Sequence, residues 1–238
     1  MQMGFAVGNS KLGRNIYTWS IPAGSTCPGK SEPCKECYAQ DGFFRMTNVK
    51  TALEKNLELS KGKDFVDYAV KEITRLKAKV VRTHVAGDLY DKEYAVKWYK
   101  IISLLKDVRF FIYTRSWRIS AIRPTITKMS KLPNLRMWWS VDYDTGKPIN
   151  KPSRVRLAYM QVKETDIPKF DVDLIFRVDE LRHIKIKRIN KAIVCPVENG
   201  TNIDFTCTQC GICWRDKGEV IQLQKENKKT KSLPMVVI

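Results

Sequence analysis

No run of 18 or more apolar residues occurs in the 238-residue chain, which excludes an ordinary membrane-spanning helix. The start, Met1 to Ala6, has neither the basic nor the long apolar region of a secretory signal, so a cytoplasmic location is expected. No short internal repeat is present, which excludes a repeat array. No single motif for nucleic-acid recognition appears, and nothing sets an oligomeric state. Acidic residues are few: 25 Asp and Glu stand against 43 Lys and Arg, a net charge of +18. Such an excess favours contact with polyanions through their phosphates, so nucleic acid or a nucleotide is the expected partner. The plainer account of the charge is solubility. Hydrophobic residues make up 43% of the chain, enough for one large domain or one domain with a small appendage.

Cysteine, by contrast, is plentiful and clustered. Cys27, Cys34 and Cys37 fall within eleven positions, as Cys-x6-Cys-x2-Cys, in a loop rich in Pro and Gly. In a reducing compartment such spacing reads as ligands or catalytic thiols rather than disulfides. Three thiolates without a local fourth leave one corner of a metal centre open, and an open corner implies chemistry. The second group is Cys195-Pro196 followed by Cys207, Cys210 and Cys213 in a CxxCxxC run. These four thiols resemble the bacterial ferredoxin ligand pattern, with the Cys-Pro placed first. Four ligands make a closed centre, structural or electron-carrying, with a four-thiolate zinc site as the alternative.

Strand and helix patterns alternate along the chain. Asn15–Pro22, Val80–Asp88, Arg109–Thr114, Leu135–Val141, Arg154–Met160, Asp173–Val178 and Lys191–Cys195 read as strands. Helical spacing covers Val49–Ser60, Phe65–Lys77 with Asp64 as cap, and Lys92–Leu105; it covers Ile119–Lys131 with an interruption at Pro124. Asp88 also suits a helix cap, and the stretch Lys225–Lys231 reads as a mobile basic tail. His84 falls within a strand and reads as a satisfied interior residue. Trp138 and Trp139, adjacent on a strand, face opposite sides. About six βα units fit a partial or complete barrel of parallel strands. In such folds sites form at the C-terminal strand ends. Here those ends carry the cysteine loop, Gly87-Asp88, Tyr113-Thr114-Arg115 and Ser140-Val141-Asp142, which converge on one mouth.

Two family resemblances follow. The loop from Cys27 through Cys34-Lys35-Glu36-Cys37-Tyr38 resembles the cluster loop of radical S-adenosylmethionine (SAM) enzymes, usually Cys-x3-Cys-x-aromatic-Cys. It departs in its first spacing of six and in placing the aromatic Tyr38 after the third cysteine. Ile21-Pro22-Ala23-Gly24-Ser25-Thr26-Cys27-Pro28-Gly29, His84-Val85-Ala86-Gly87-Asp88-Leu89-Tyr90, Tyr113-Thr114-Arg115-Ser116 and Thr206-Cys207-Thr208-Gln209-Cys210-Gly211-Ile212-Cys213-Trp214 resemble the phage and plasmid gene product 88 family, which is itself similar to radical SAM proteins. The resemblance implies a barrel-like domain over residues 1–190 and a Cys-rich extension over 191–238 packed on it. It implies an open [4Fe–4S] cluster on Cys27, Cys34 and Cys37, an external electron donor, and the host cytoplasm for a virus-encoded protein; the ferredoxin-like spacing of Cys195, Cys207, Cys210 and Cys213 reads as a second [4Fe–4S] cluster, with zinc as the alternative. SAM would be held by Tyr38, Gly87, Asp88, Arg115, Ser140 and Asp142, and radical chemistry would follow. The rival expectation is a zinc-stabilised nucleic-acid-binding protein without redox chemistry.

Overall fold

The computed structural model describes residues 4–198 and 206–229. Nine strands form one sheet: β1 (Ala6–Val7), β2 (Ile16–Trp19), β3 (Val80–Thr83), β4 (Arg109–Thr114), β5 (Leu135–Val141), β6 (Arg156–Gln161), β7 (Leu174–Arg177), β8 (Arg188–Ile189) and β9 (Ala192–Val194). The helices are α1 (Thr47–Lys61), α2 (Phe65–Arg75), α3 (Lys92–Leu104), α4 (Arg123–Met129), α5 (Cys207–Cys210) and α6 (Lys217–Lys229). The strand order is β1-β2-β3-β4-β5-β6-β7-β9-β8. Every neighbouring pair from β2 to β9 is parallel, while β1 and β8 join antiparallel as the two edges. The fold is therefore mixed α/β around a mostly parallel sheet. Among the described strands the sheet has two ends, so it does not close into a complete barrel.

The order never doubles back, and that decides where the helices go. Crossovers of one hand between successive parallel strands pack on one face. Alternate strand residues confirm the face: Trp19, Val81, Phe110, Ile112, Met137, Trp139, Val141, Leu157, Tyr159 and Ile175 share one core with Phe65, Ile73, Trp98, Ile101 and Ile126 from α2, α3 and α4. Helices fill the crossovers only as far as β5; β5 to β6 and β6 to β7 are joined without an α-helix. The other face carries Ile16, Val80 and Phe111 in one apolar cluster and Trp138, Ala158, Leu174 and Ile193 in another. Trp138 and Trp139 are thus both core residues, one on each face. The segment from Cys207 to Val220 covers that second face, through Cys210, Ile212, Trp214 and Val220. The sheet runs on past residue 190, since β9 pairs with β7 and β8. The last four cysteines therefore begin inside the sheet.

Strands β4 and β5 have the bounds their patterns predict, and the other elements differ for local reasons. The strand read over Val80–Asp88 stops at Thr83, because His84 takes a left-handed φ of 62° that ends the ladder. Pro124 does not interrupt a long helix; it sits in the first turn of the short α4, where its missing N–H costs nothing. Asp64 occupies the cap position of α2, but its side chain makes no capping bond. Asp91, not Asp88, caps α3, accepting from the Tyr94 N–H at 2.7 Å. The basic tail read from Lys225 is helical as far as Lys229, and residues 230–231 lie outside the described residues. No helix among the described residues is long and apolar enough to cross a membrane.

His84 lies in the helix-side core as the sequence suggests. Its Nε2 meets the Tyr94 hydroxyl at 2.9 Å, and its ring packs edge-on against Trp98. Burial, assisted by Arg82, pushes its pKa down to about 3. The unfolded chain takes up a proton near pH 6.5 that the folded one refuses, so the stabilising term present above that pH is lost as pH falls towards 3. Between pH 7 and 5 this amounts to about 2 kcal/mol. Denaturant titrations of the wild type and His84→Asn, which tolerates positive φ, are expected to show that much less acid sensitivity in the variant. Equal losses would refute it.

Candidate functional site

The loop from Thr26 to Gln40 leaves the first parallel strand and is fixed by short local turns. Cys27 O accepts from the Lys30 N–H at 3.2 Å, and Ser31 O from the Cys34 N–H at 3.0 Å. A 3-10 turn over Glu32–Glu36 opens at Ser31, with Pro33 stiffening its first positions. Ser31 N–H points at the Cys34 sulfur, 3.3 Å away. The loop then docks onto the exits of β3 and β4. A side chain at Gly29 would overlap the Arg115 carbonyl, and one at Gly87, where φ is 80°, would overlap Ile21. The Arg118 guanidinium donates to the carbonyls of Gly29 (3.2 Å) and Lys30 (3.0 Å). Tyr38, half-exposed, donates its hydroxyl to the Val85 carbonyl.

Two buried carboxylates lock these exits together. Asp142 is fully buried. Its Oδ1 accepts from the Asp144 and Thr145 N–H groups at 3.0 and 2.9 Å, closing the turn after β5. Its Oδ2 accepts from Ser31 Oγ at 2.6 Å and from the Arg115 guanidinium. Asp88 accepts from Leu89 N–H at 2.7 Å, Arg115 N–H at 2.8 Å and Ser116 N–H at 3.2 Å. Burial raises the pKa of Asp88, and those donors oppose the rise. The residues chosen from the sequence thus fall into place unequally. Arg115, Asp142 and Asp88 form one network, and Tyr38 and Gly87 hold the loop. Ser140 enters through its carbonyl, which accepts from Trp117 Nε1 at 3.0 Å. Ser31 and Gly29 were missed, because a small polar residue or glycine between cysteines carries no periodic signal; Arg118, part of the basic run with Arg115 and Arg123 that reads as solvated or phosphate-binding, holds the loop's carbonyls instead.

All seven cysteines are free thiols. Burial pushes Cys27 up to about 12, with Asp88 adding to the rise. Cys37 is also raised by burial, while Arg115 pulls it the other way. The C-terminal set is drier. Cys195 and Cys210 are buried and raised well above the ordinary thiol range, and burial takes Cys207 to about 12. These four thiols line a single cavity with Leu174 and Ile212. Their hairpin is held by Trp138 Nε1 donating to the Cys213 carbonyl at 2.9 Å and by Cys207 N–H donating to the Lys11 carbonyl at 2.9 Å. Among the described residues no three His, Cys, Asp or Glu side chains close on the geometry of a single metal ion. Three thiols stand in one loop and four around one cavity.

A parallel sheet wound in one direction, with a three-cysteine loop at the C-terminal end of its first parallel strand, defines the class: an α/β protein with a thiol-bearing strand-end site. The chain belongs to the Gene product 88 family, which it matches over residues 3–216. It is similar to the Gene 88 protein of Mycobacterium phage D29, 26% identical over 234 residues covering 90% of this chain and 89% of that one. The Gene 88 protein of Mycobacterium phage L5 is 26% identical over 229 residues, with the same coverage. No solved structure matches the chain.

Replacing Asp142 by Asn leaves the partly buried Arg115 beside a neutral group. A loss of about 3 kcal/mol is expected from denaturant midpoints, and protease cleavage within residues 26–40 should speed up. Gly29→Ala, which touches no charge, is expected to expose the same loop. Loop protection unchanged in both variants would show that the docking does not depend on these contacts.

Proposed function

We propose that this protein is an iron–sulfur protein of the radical SAM kind, with its cluster on Cys27, Cys34 and Cys37 and its sheet an open version of the radical SAM barrel. The observation that carries the reading is the placement of three free thiols on the loop after β2, pinned at the C-terminal ends of β3, β4 and β5. A cluster held by Cys27, Cys34 and Cys37 would supply one-electron reduction of SAM when bound. The chain's part is to hold and aim. Asp88 and Asp142 fix the loop against two strand exits. Arg115, tied to Asp142 by one nitrogen, keeps guanidinium donors for the carboxylate of SAM. Gly87 allows the loop to lie against Ile21, and Tyr38 and Ser140 border the same strand ends. The net charge of +18 supports an anionic substrate, a nucleotide or nucleic acid, and an external donor supplies the electron.

The test is anaerobic purification followed by iron and sulfide analysis. The wild type is expected to be brown and to carry about eight irons, and the Cys34→Ala, Cys37→Ala double variant about four. With dithionite and SAM, the wild type should form 5′-deoxyadenosine and the double variant should not. A colourless protein holding zinc at both thiol groups would replace this reading with that of a zinc-stabilised nucleic-acid-binding protein.

A further inference from the structure

We propose that Arg82 is the built-in counter-charge of a metal–thiolate centre held by Cys195, Cys207, Cys210 and Cys213, with the Tyr113 hydroxyl as its hydrogen-bond donor. The inference takes from the proposed function only that these four thiols are ligands. Four thiolates around a zinc ion, or around an oxidised four-iron core, leave about two negative charges on the centre. The cavity that receives them lies against Trp138, Leu174 and Ile193 on the face of the sheet away from the helices. A net charge in such surroundings is costly unless an opposite charge or a donor meets it.

The structure holds both, and among the described residues neither forms an ion pair. Arg82 is the third residue of β3 and points to the same face. Its Nε is buried without a hydrogen-bond partner. Its guanidinium lies 5.5 Å from the Tyr113 ring centroid. The groups that favour its charge are Tyr38, Tyr113, Cys207 and Cys213, and none is a carboxylate. Tyr113 is the second donor: its buried hydroxyl has no partner among the described residues other than the Cys213 sulfur beside it. The neighbouring carboxylate, Glu198, is taken by Lys11 and Arg182. Arg156 is occupied by the carbonyls of Ile212 and Arg215. Two buried donors on the thiols' side of the sheet describe a site prepared for an anionic centre.

Arg82 and Tyr113 are positioning residues, and the readout is the centre itself. The full-length Cys34→Ala, Cys37→Ala protein isolates the C-terminal centre. In that background Arg82→Met and Tyr113→Phe are each expected to lower the midpoint potential in a dye-mediated titration followed by electron paramagnetic resonance. Arg82→Lys should restore most of the shift. For a zinc-loaded protein the readout is competition with a chelator, where Arg82→Met is expected to weaken retention at least about tenfold. Absence of metal from the parent variant would overturn the whole site. A loaded centre whose potential and metal retention ignore both substitutions would overturn the counter-charge alone and leave the thiol ligands standing.

Discussion

A single carboxylate, that of Asp142, fixes the geometry of the strand ends. It is fully buried and accepts from the turn that follows β5, from Ser31 in the cysteine loop, and from Arg115 at the exit of β4. A buried charge is tolerated only when its lone pairs are filled. Those bonds therefore constrain three segments that are otherwise distant in sequence. Asp88 repeats the device two strands earlier by gathering the N–H groups of Arg115 and Ser116. Arg115 is thus held twice, by its backbone to Asp88 and by its side chain to Asp142. The cysteine loop inherits its position from that double hold, and the close approaches at Gly29 and Gly87 leave it little room to slide.

The opposite face of the sheet is organised differently. Arg109, Arg136 and Arg156 stand at or next to the starts of β4, β5 and β6. They reach Glu219, Asp216 and the carbonyls of Ile212 and Arg215. Partly exposed ion pairs contribute at most about 1 kcal/mol each. Fully burying a large apolar side chain is worth about 1.5–3 kcal/mol, so Trp138, Ile193, Trp214 and Val220 supply most of the attachment, and the arginines set its register. The two thiol groups consequently belong to different environments. One lies in a half-buried loop at the strand ends, and the other in an apolar cavity against the sheet.

Much of this architecture was legible in the residues. Strands β4 and β5 were readable to their ends because both are apolar runs closed by polar exits. The parallel sheet followed from the alternation of strand and helix patterns. The convergence of the cysteine loop with Asp88, Arg115 and Asp142 followed from their places at strand ends. The partners of those side chains were not legible. Asp88 resembles a helix cap in sequence because a helix begins soon after it, yet Asp91 takes that role. His84 lies inside a β-like run, and only its left-handed backbone reveals that the strand has already ended. The absence of helices between β5 and β7 was legible, since no helical spacing was read after Lys131.

The sequence by itself determined the periodic elements, the order of the strands in the chain and the two thiol groups. Each depends on residues within a few positions of one another: side-chain alternation, turn chemistry and cysteine spacing. Only the tertiary structure decided that the strands line up without reversal, that the Cys207–Val220 segment covers the face the helices leave bare, and that Arg82 meets no carboxylate among the described residues. Those outcomes depend on which distant surfaces bury one another and which buried charges find partners. Such contacts join residues up to a hundred or more positions apart, and no local pattern encodes them.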